Sequence, residues 1–151
     1  MAQSKEMKSL ISQLEKMQDG INPIIKKAFD SKQAEVLKYN TEKQLFKKGE
    51  RSDGLKLTPA YADSTKTYKR KRGQRISNVT LKDSGDFYNS IRVYPADEEV
   101  EIKTDGSLNY SKFLEGRYGA EIYGLQDKFI KEFYNRFISK PITRFIQKAV
   151  K

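Results

Sequence analysis

Between Lys47 and Gln74 the hydrophobic pattern loses its period, and this constrains the fold more than any other feature of the sequence. Gly49, Ser52-Asp53-Gly54, Pro59 and Gly73 punctuate the tract, and only Leu55, Leu57, Tyr61 and Tyr68 offer anchors. A stretch of this length without a repeat is too long for an ordinary connection and reads as a functional arm or a disordered tract. It is the most informative irregularity in the sequence.

Ahead of it, Leu10, Ile11, Leu14 and Met17 fall at helical spacing. Asp19-Gly20 reads as the end of that helix and Asn22-Pro23 as the start of a second one, which carries Ile24, Ile25, Ala28, Phe29, Val36 and Leu37. The expectation is a hairpin of antiparallel helices over residues 1–43, followed by a short apolar anchor at Leu45-Phe46. Behind the arm, Ile76 to Leu81 is strand-like, and Asp83-Ser84 can cap a helical turn that puts Phe87 and Ile91 on one side. Ile91 to Tyr94 and Val100 to Lys103 alternate apolar and polar residues about the turn 95–99, as two half-buried strands would. From Leu125 to Lys151 runs an apolar stripe including Phe129, Phe133, Phe137, Ile138, Ile142 and Phe145, read as core, with a kink or split near Ser139 imposed by Pro141. The predicted architecture is a single α+β domain over 1–151. It comprises the hairpin, an extended basic arm over 47–75, a small antiparallel sheet region over 76–124 and a C-terminal amphipathic helix over 125–151.

Residue types that are missing narrow the chemistry. The chain has no Cys, no His and no Trp. Disulfides, thiolate nucleophiles, Cys- or His-based metal sites and imidazole catalysis are therefore excluded. Asp97 with Glu101-Ile102-Lys103 superficially matches a Mg²⁺-holding nuclease arrangement, but a hairpin with outward charges explains the pattern more simply. Asp83-Ser84-Gly85-Asp86 is too short for a calcium loop, and no phosphate-binding Gly-rich loop occurs. No catalytic residue, metal or cofactor is expected. No run is long and apolar enough for a membrane span, and the N-terminus lacks a signal-type stretch, so the expectation is a reducing cytoplasm.

Charge is distributed unevenly. The formal net charge is +10, yet residues 43–75 alone hold 11 basic and 3 acidic groups, whereas residues 97–127 hold 3 basic and 8 acidic. Lys66, Lys69, Arg70, Lys71, Arg72 and Arg75 crowd into ten residues with Tyr68 among them, a cluster suited to phosphate or to an acidic protein surface. Asp97, Glu98, Glu99, Glu101, Glu115 and Glu121 form the opposing acidic set. Opposite patches on one chain permit head-to-tail association that closes into a ring.

The order of punctuation over residues 44–124 resembles a known family. It runs through Phe46, Asp53-Gly54, Leu57-Thr58-Pro59, Thr65-Lys66, Leu81, Ser84-Gly85, Ser90-Ile91, Val100-Glu101-Ile102, Tyr110 and Tyr118-Gly119. This is similar to the virion-morphogenesis or tail-completion proteins that act at the head–tail junction of tailed bacteriophages. The Trp that the family usually has near Leu57 and its His after the Tyr-containing segment are absent; Phe113, Leu114 and Glu115 occupy the latter region. The resemblance implies a non-enzymatic ring component of the virion neck or tail, made in the host cytoplasm. Its implied partners are further copies of itself, a portal-side adaptor and tail-tube or tail-terminator proteins, around a DNA channel. A small nucleic-acid-binding protein is the alternative reading of the same charge.

Overall fold

A computed structural model describes residues 5–150. The chain is α+β: helices at both ends enclose a two-stranded antiparallel sheet. Helix α1 spans Lys5–Ser31 and α2 spans Gln33–Lys38; α2 runs directly into a π-helical segment, Tyr39–Lys48. Helix α3 (Asp63–Lys71) and the short α4 (Asp86–Ser90) precede strands β1 (Ile91–Pro95) and β2 (Val100–Thr104). Helix α5 (Ser111–Tyr118), a 3-10 turn at Ala120–Ile122, α6 (Asp127–Phe133), a π-helical turn at Tyr134–Ile138 and α7 (Ser139–Ala149) complete it.

The predicted break at Asp19-Gly20 does not occur. Helix α1 runs through Gly20 and Pro23, and the first interruption is Lys32, at φ −118° and ψ 31°. The reason is tertiary. A Cβ on Gly20 would come within 2.1 Å of the Phe145 ring, so this glycine admits an aromatic side chain from α7 instead of stopping a helix. The packing partner of α1 is accordingly α7, in place of a second helix of an N-terminal hairpin.

Two apolar clusters make the core. Leu45, Leu57, Val79, Phe87, Ile91, Tyr118 and Ile122 form one; Ala28, Val36, Tyr39, Val93, Phe133 and Ile138 form the other. Strand β1 links them, because Ile91 is buried in the first cluster and Val93 in the second while Arg92 and Tyr94 face outward. Its register with β2 sets Val93 opposite Ile102. Phe133 stacks on Phe29 at 4.5 Å between ring centroids, so the aromatic stripe is core, as its spacing implies. The C-terminal helix also changes character near Ser139, where the sequence places an irregularity before Pro141. Pro141 cannot donate to Phe137, and the helix widens to π geometry over Tyr134–Ile138 before α7 begins.

Ile76 to Leu81 forms no strand. Side chains hold its backbone in place of a sheet ladder: the Thr80 N–H donates to the Tyr61 hydroxyl at 2.8 Å, and the Tyr88 hydroxyl donates to the Thr80 carbonyl. A second polar set ties the π-helical segment to the chain before α6. Asn40 Nδ2 donates to the carbonyls of Ile122 and Gly124, Gln44 Nε2 also donates to Gly124, and Gln44 Oε1 accepts from Gln126 N–H at 2.8 Å.

Candidate partner-binding surface

The basic arm is neither extended nor uniformly available. Residues 63–71 coil into α3, and the tract before it is closed by a bridge between Glu50 and Lys56. Helix α3 has almost no apolar face, which is why no hydrophobic period marks it. Its inner side carries the half-buried Thr65 and the buried Lys69, whose ammonium lies over the Tyr61 ring.

Lys69 is 6% exposed. Its ammonium donates to the Lys82 carbonyl at 2.8 Å and to Gln74 Oε1 at 3.2 Å, and stands 5.0 Å from the Tyr61 ring centre. Gln74 in turn donates to the Asp83 carbonyl and carboxylate, both at 3.1 Å. Arg72 pairs with Asp83 at 3.1 Å and lies over Tyr68. Arg75 donates to Asn78 at 2.8 Å and to the Lys47 carbonyl at 3.2 Å. These three cations hold α3 against the 78–83 segment and are committed to the fold.

Lys66, Arg70 and Lys71 are different. Among the described residues none of the three side chains has a hydrogen bond, ion pair or ring contact; Arg70 and Lys71 are exposed and Lys66 half-buried. Lys66 and Arg70 are four residues apart on one flank of α3, and Lys71 lies about 100° further round the helix. The surface that a polyanion could use is therefore this smaller triad, and the six-residue cluster read from the sequence divides into two halves of three.

The acidic set divides as well. Asp97 pairs with Lys26 of α1 at 3.0 Å, and Glu98 and Glu99 are exposed in the same β1–β2 turn. Glu101 pairs with Lys103 along β2 at 3.3 Å. Glu115 instead accepts the Tyr123 hydroxyl at 2.7 Å, and Glu121 lies 3.9 Å from Arg51. Only Asp97, Glu98, Glu99 and Glu101 lie on the sheet hairpin, so the six acids are not one surface. Glu101, moreover, has a lysine partner where the nuclease-like pattern would place a metal, and among the described residues no group of three or more Asp or Glu is placed to hold one.

The turns quoted for the resemblance form tight structural positions. Gly54, Gly85 and Gly119 have φ of +83°, +94° and +93°. Asp53 accepts from the Leu55 N–H at 3.1 Å and is ion-paired to Arg51, which holds its carboxyl below the usual carboxylate range. Ser84 Oγ accepts from Asp86 N–H at the start of α4, and Ser90-Ile91 is the junction of α4 and β1. Tyr118 is buried at the end of α5, just before Gly119.

Beside α3 lies a groove of about 520 Å³ lined by Tyr61, Lys69, Phe87, Tyr110, Phe113 and Tyr118, among others. Phe113 and Tyr110 are exposed on its rim. Burial, with Asp86 and Asp83 nearby, raises the Tyr110 phenol above its ordinary value. Sequence reading missed this rim because Tyr110 and Phe113 lie outside any amphipathic repeat. It also placed Leu10, Ile11 and Leu14 inside the predicted hairpin, whereas the structure leaves them in water. No helix among the described residues is long and apolar enough to cross a membrane. In comparisons with known proteins, no family model, no curated protein and no solved structure matches the chain.

Proposed function

We propose that this chain is a structural virion protein of a tailed bacteriophage, a non-enzymatic subunit of a ring at the head–tail junction that joins portal-side and tail-tube components around the DNA channel. The observation that carries the reading is the order of turns over residues 44–124. The glycines it requires at 54, 85 and 119 all adopt positive φ, where a side chain would be strained. The surface supports the same reading. A short cationic helix face and an acidic sheet hairpin on one chain suit lateral contact between subunits. The reading needs no cofactor, and it places the protein in the host cytoplasm during assembly and in the virion neck or tail afterwards.

Immunogold electron microscopy of tailed particles, with antibody raised against this chain, tests it. Label at the neck or upper tail is the expected result; particles without label, or labelled over the capsid shell, overturn it.

A second reading, a small nucleic-acid-binding protein, is favoured by one observation: the side chains of Lys66, Arg70 and Lys71 make no hydrogen bond, ion pair or ring contact within the described chain. Three phosphate contacts give a log–log salt slope of about −0.9 × 3, or roughly −3, on duplex DNA. A salt titration showing no binding at moderate ionic strength removes this reading.

A further inference from the structure

A second set of cations lies outside the basic arm. From Phe133 to Lys151 the sequence holds five Lys or Arg and no Asp or Glu. Three of them, Lys140, Arg144 and Lys148, sit on α7 at intervals of four, each about 6 Å further along the axis and about 40° further round it. With Thr143 and Gln147 they fill an arc of about 140° that contains no acid and no large apolar residue. All three are exposed, and among the described residues their side chains make no hydrogen bond, ion pair or ring contact. The cationic face continues onto α1. Lys27, exposed and equally without such a contact, lines a groove of about 390 Å³ together with Arg144 and Lys148, and no acid lines it. Like charges four residues apart repel along a helix, so the row opposes the helix that carries it until an anion neutralises it.

We propose that the outer face of α7 is a contact surface for the phosphate backbone of duplex nucleic acid, engaged without regard to sequence. The chemistry of the face selects this partner from other anions. A protein interface is depleted of lysine at its centre and anchored by apolar or aromatic side chains, and this arc offers none. The aromatic rings bordering the groove are already covered: Phe145 is seated on Gly20, and Phe137 has the Arg136 guanidinium 4.6 Å and the Lys32 ammonium 5.3 Å from its centre. A lipid surface would need the apolar side of α7. That side is turned inward, with Phe145 on Gly20 and Ile142 against the core, so that Ile146 alone of its large apolar side chains is exposed. Phosphates ask only for cations and hydrogen-bond donors, and the exposed Gln147 amide adds a donor to the row. The cations of α3 belong to a separate element, so the inference holds whether or not they also touch nucleic acid.

The test titrates the full chain into a fluorescently labelled DNA duplex of about 30 base pairs, read by anisotropy between about 50 and 200 mM salt. Lys140→Gln with Arg144→Gln and Lys148→Gln keeps the unbranched stems and the helix propensity, so the melting temperature should hold. Affinity at the low-salt end should fall at least tenfold, and the log–log slope should become shallower by about 0.9 × 3, or roughly 3. The same change in slope is expected whether or not Lys66→Ser, Arg70→Ser and Lys71→Ser are also present. Lys140→Arg with Lys148→Arg, which preserves the charge, should bind as wild type does. A wild type that fails to bind the duplex at about 50 mM salt, or a triple Gln variant with wild-type affinity and slope, overturns the proposal. So does displacement of the duplex by polyglutamate as effectively as by unlabelled duplex of equal charge, the result expected of an acidic protein partner. Tighter binding to vesicles of about 30% phosphatidylserine in phosphatidylcholine than to duplex, lost in the triple Gln variant, also overturns it in favour of a lipid surface. Absence of duplex binding together with gold label at the virion neck overturns this inference and leaves the virion reading standing.

Discussion

Two sets of three cations within ten residues of one another have opposite fates. Lys69, Arg72 and Arg75 turn inward or along the surface and are used up by backbone carbonyls, Asp83 and Asn78. The side chains of Lys66, Arg70 and Lys71 make no hydrogen bond, ion pair or ring contact within the described chain. Composition cannot tell the sets apart; position on a nine-residue helix does. In a segment with few apolar residues, a lysine stem and its ammonium can serve where a leucine usually would, provided each N–H finds an acceptor. Local charge density therefore overstates what is available to a partner about twofold.

That contrast breaks first at Lys69. Lys69→Met keeps the stem but leaves the Lys82 carbonyl and Gln74 without their donor, which should cost about 1.5–3 kcal/mol and lower the melting temperature by about 5 °C. A melting temperature within a degree of wild type would mean that Lys69 does not hold α3. Arg75→Ala removes two partly exposed bonds and should cost about 1 kcal/mol, read from urea midpoints at constant slope. Substituting Lys66, Arg70 and Lys71 together by Ser should change stability by less than about 0.5 kcal/mol. The same triple substitution should abolish most retention on a heparin column; retention like that of wild type would return the binding role to Arg72 and Arg75.

The smallest effect is pH-dependent and tests the platform under the inner set. Burial pushes the Tyr88 phenol well above its ordinary value, and its hydroxyl donates to Thr80, whose N–H is held by Tyr61 beneath Lys69. A raised folded-state pKa means that the stabilisation is complete below the unfolded value of about 10 and is lost as pH rises beyond it. Thermal melts from pH 8 to pH 11 should show this decline, and Tyr88→Phe should make it shallower. On the acid side the sign reverses. Hydrogen bonds from Gln126 to Glu50, from Arg51 to Asp53 and from Ser107 to Asp105 lower those carboxyls, so their contribution is lost as pH falls below about 4.

The elements whose reasons are local were readable in the sequence. Alternation predicted β1 and β2 within a residue at their ends, Asp83-Ser84 predicted α4, and Pro141 predicted the irregularity just before α7. Elements whose reasons are tertiary were not. Gly20 has the chemistry of a helix stop and the job of admitting Phe145. Helix α3 lacks an apolar period because its inner face is Thr65 and Lys69 against Tyr61, and Ile76 to Leu81 has strand composition but no strand to pair with. For the candidate surface, the six cations were visible as a cluster. Their division was not, since it depends on carbonyls at Lys47 and Lys82 that only the fold brings near.

The seating of Phe145 on Gly20 has a mechanical consequence. It fixes the root of a cantilever whose free length, Lys5 to Lys16, is about 18 Å at 1.5 Å per residue. A tilt of 10° at that root moves the tip by about 3 Å, more than half of one helical turn's pitch. The aim of the exposed leucines is thus set some distance away from them, by how one aromatic ring sits against a bare backbone. A bulkier residue at position 20 would redirect the whole arm without touching its tip.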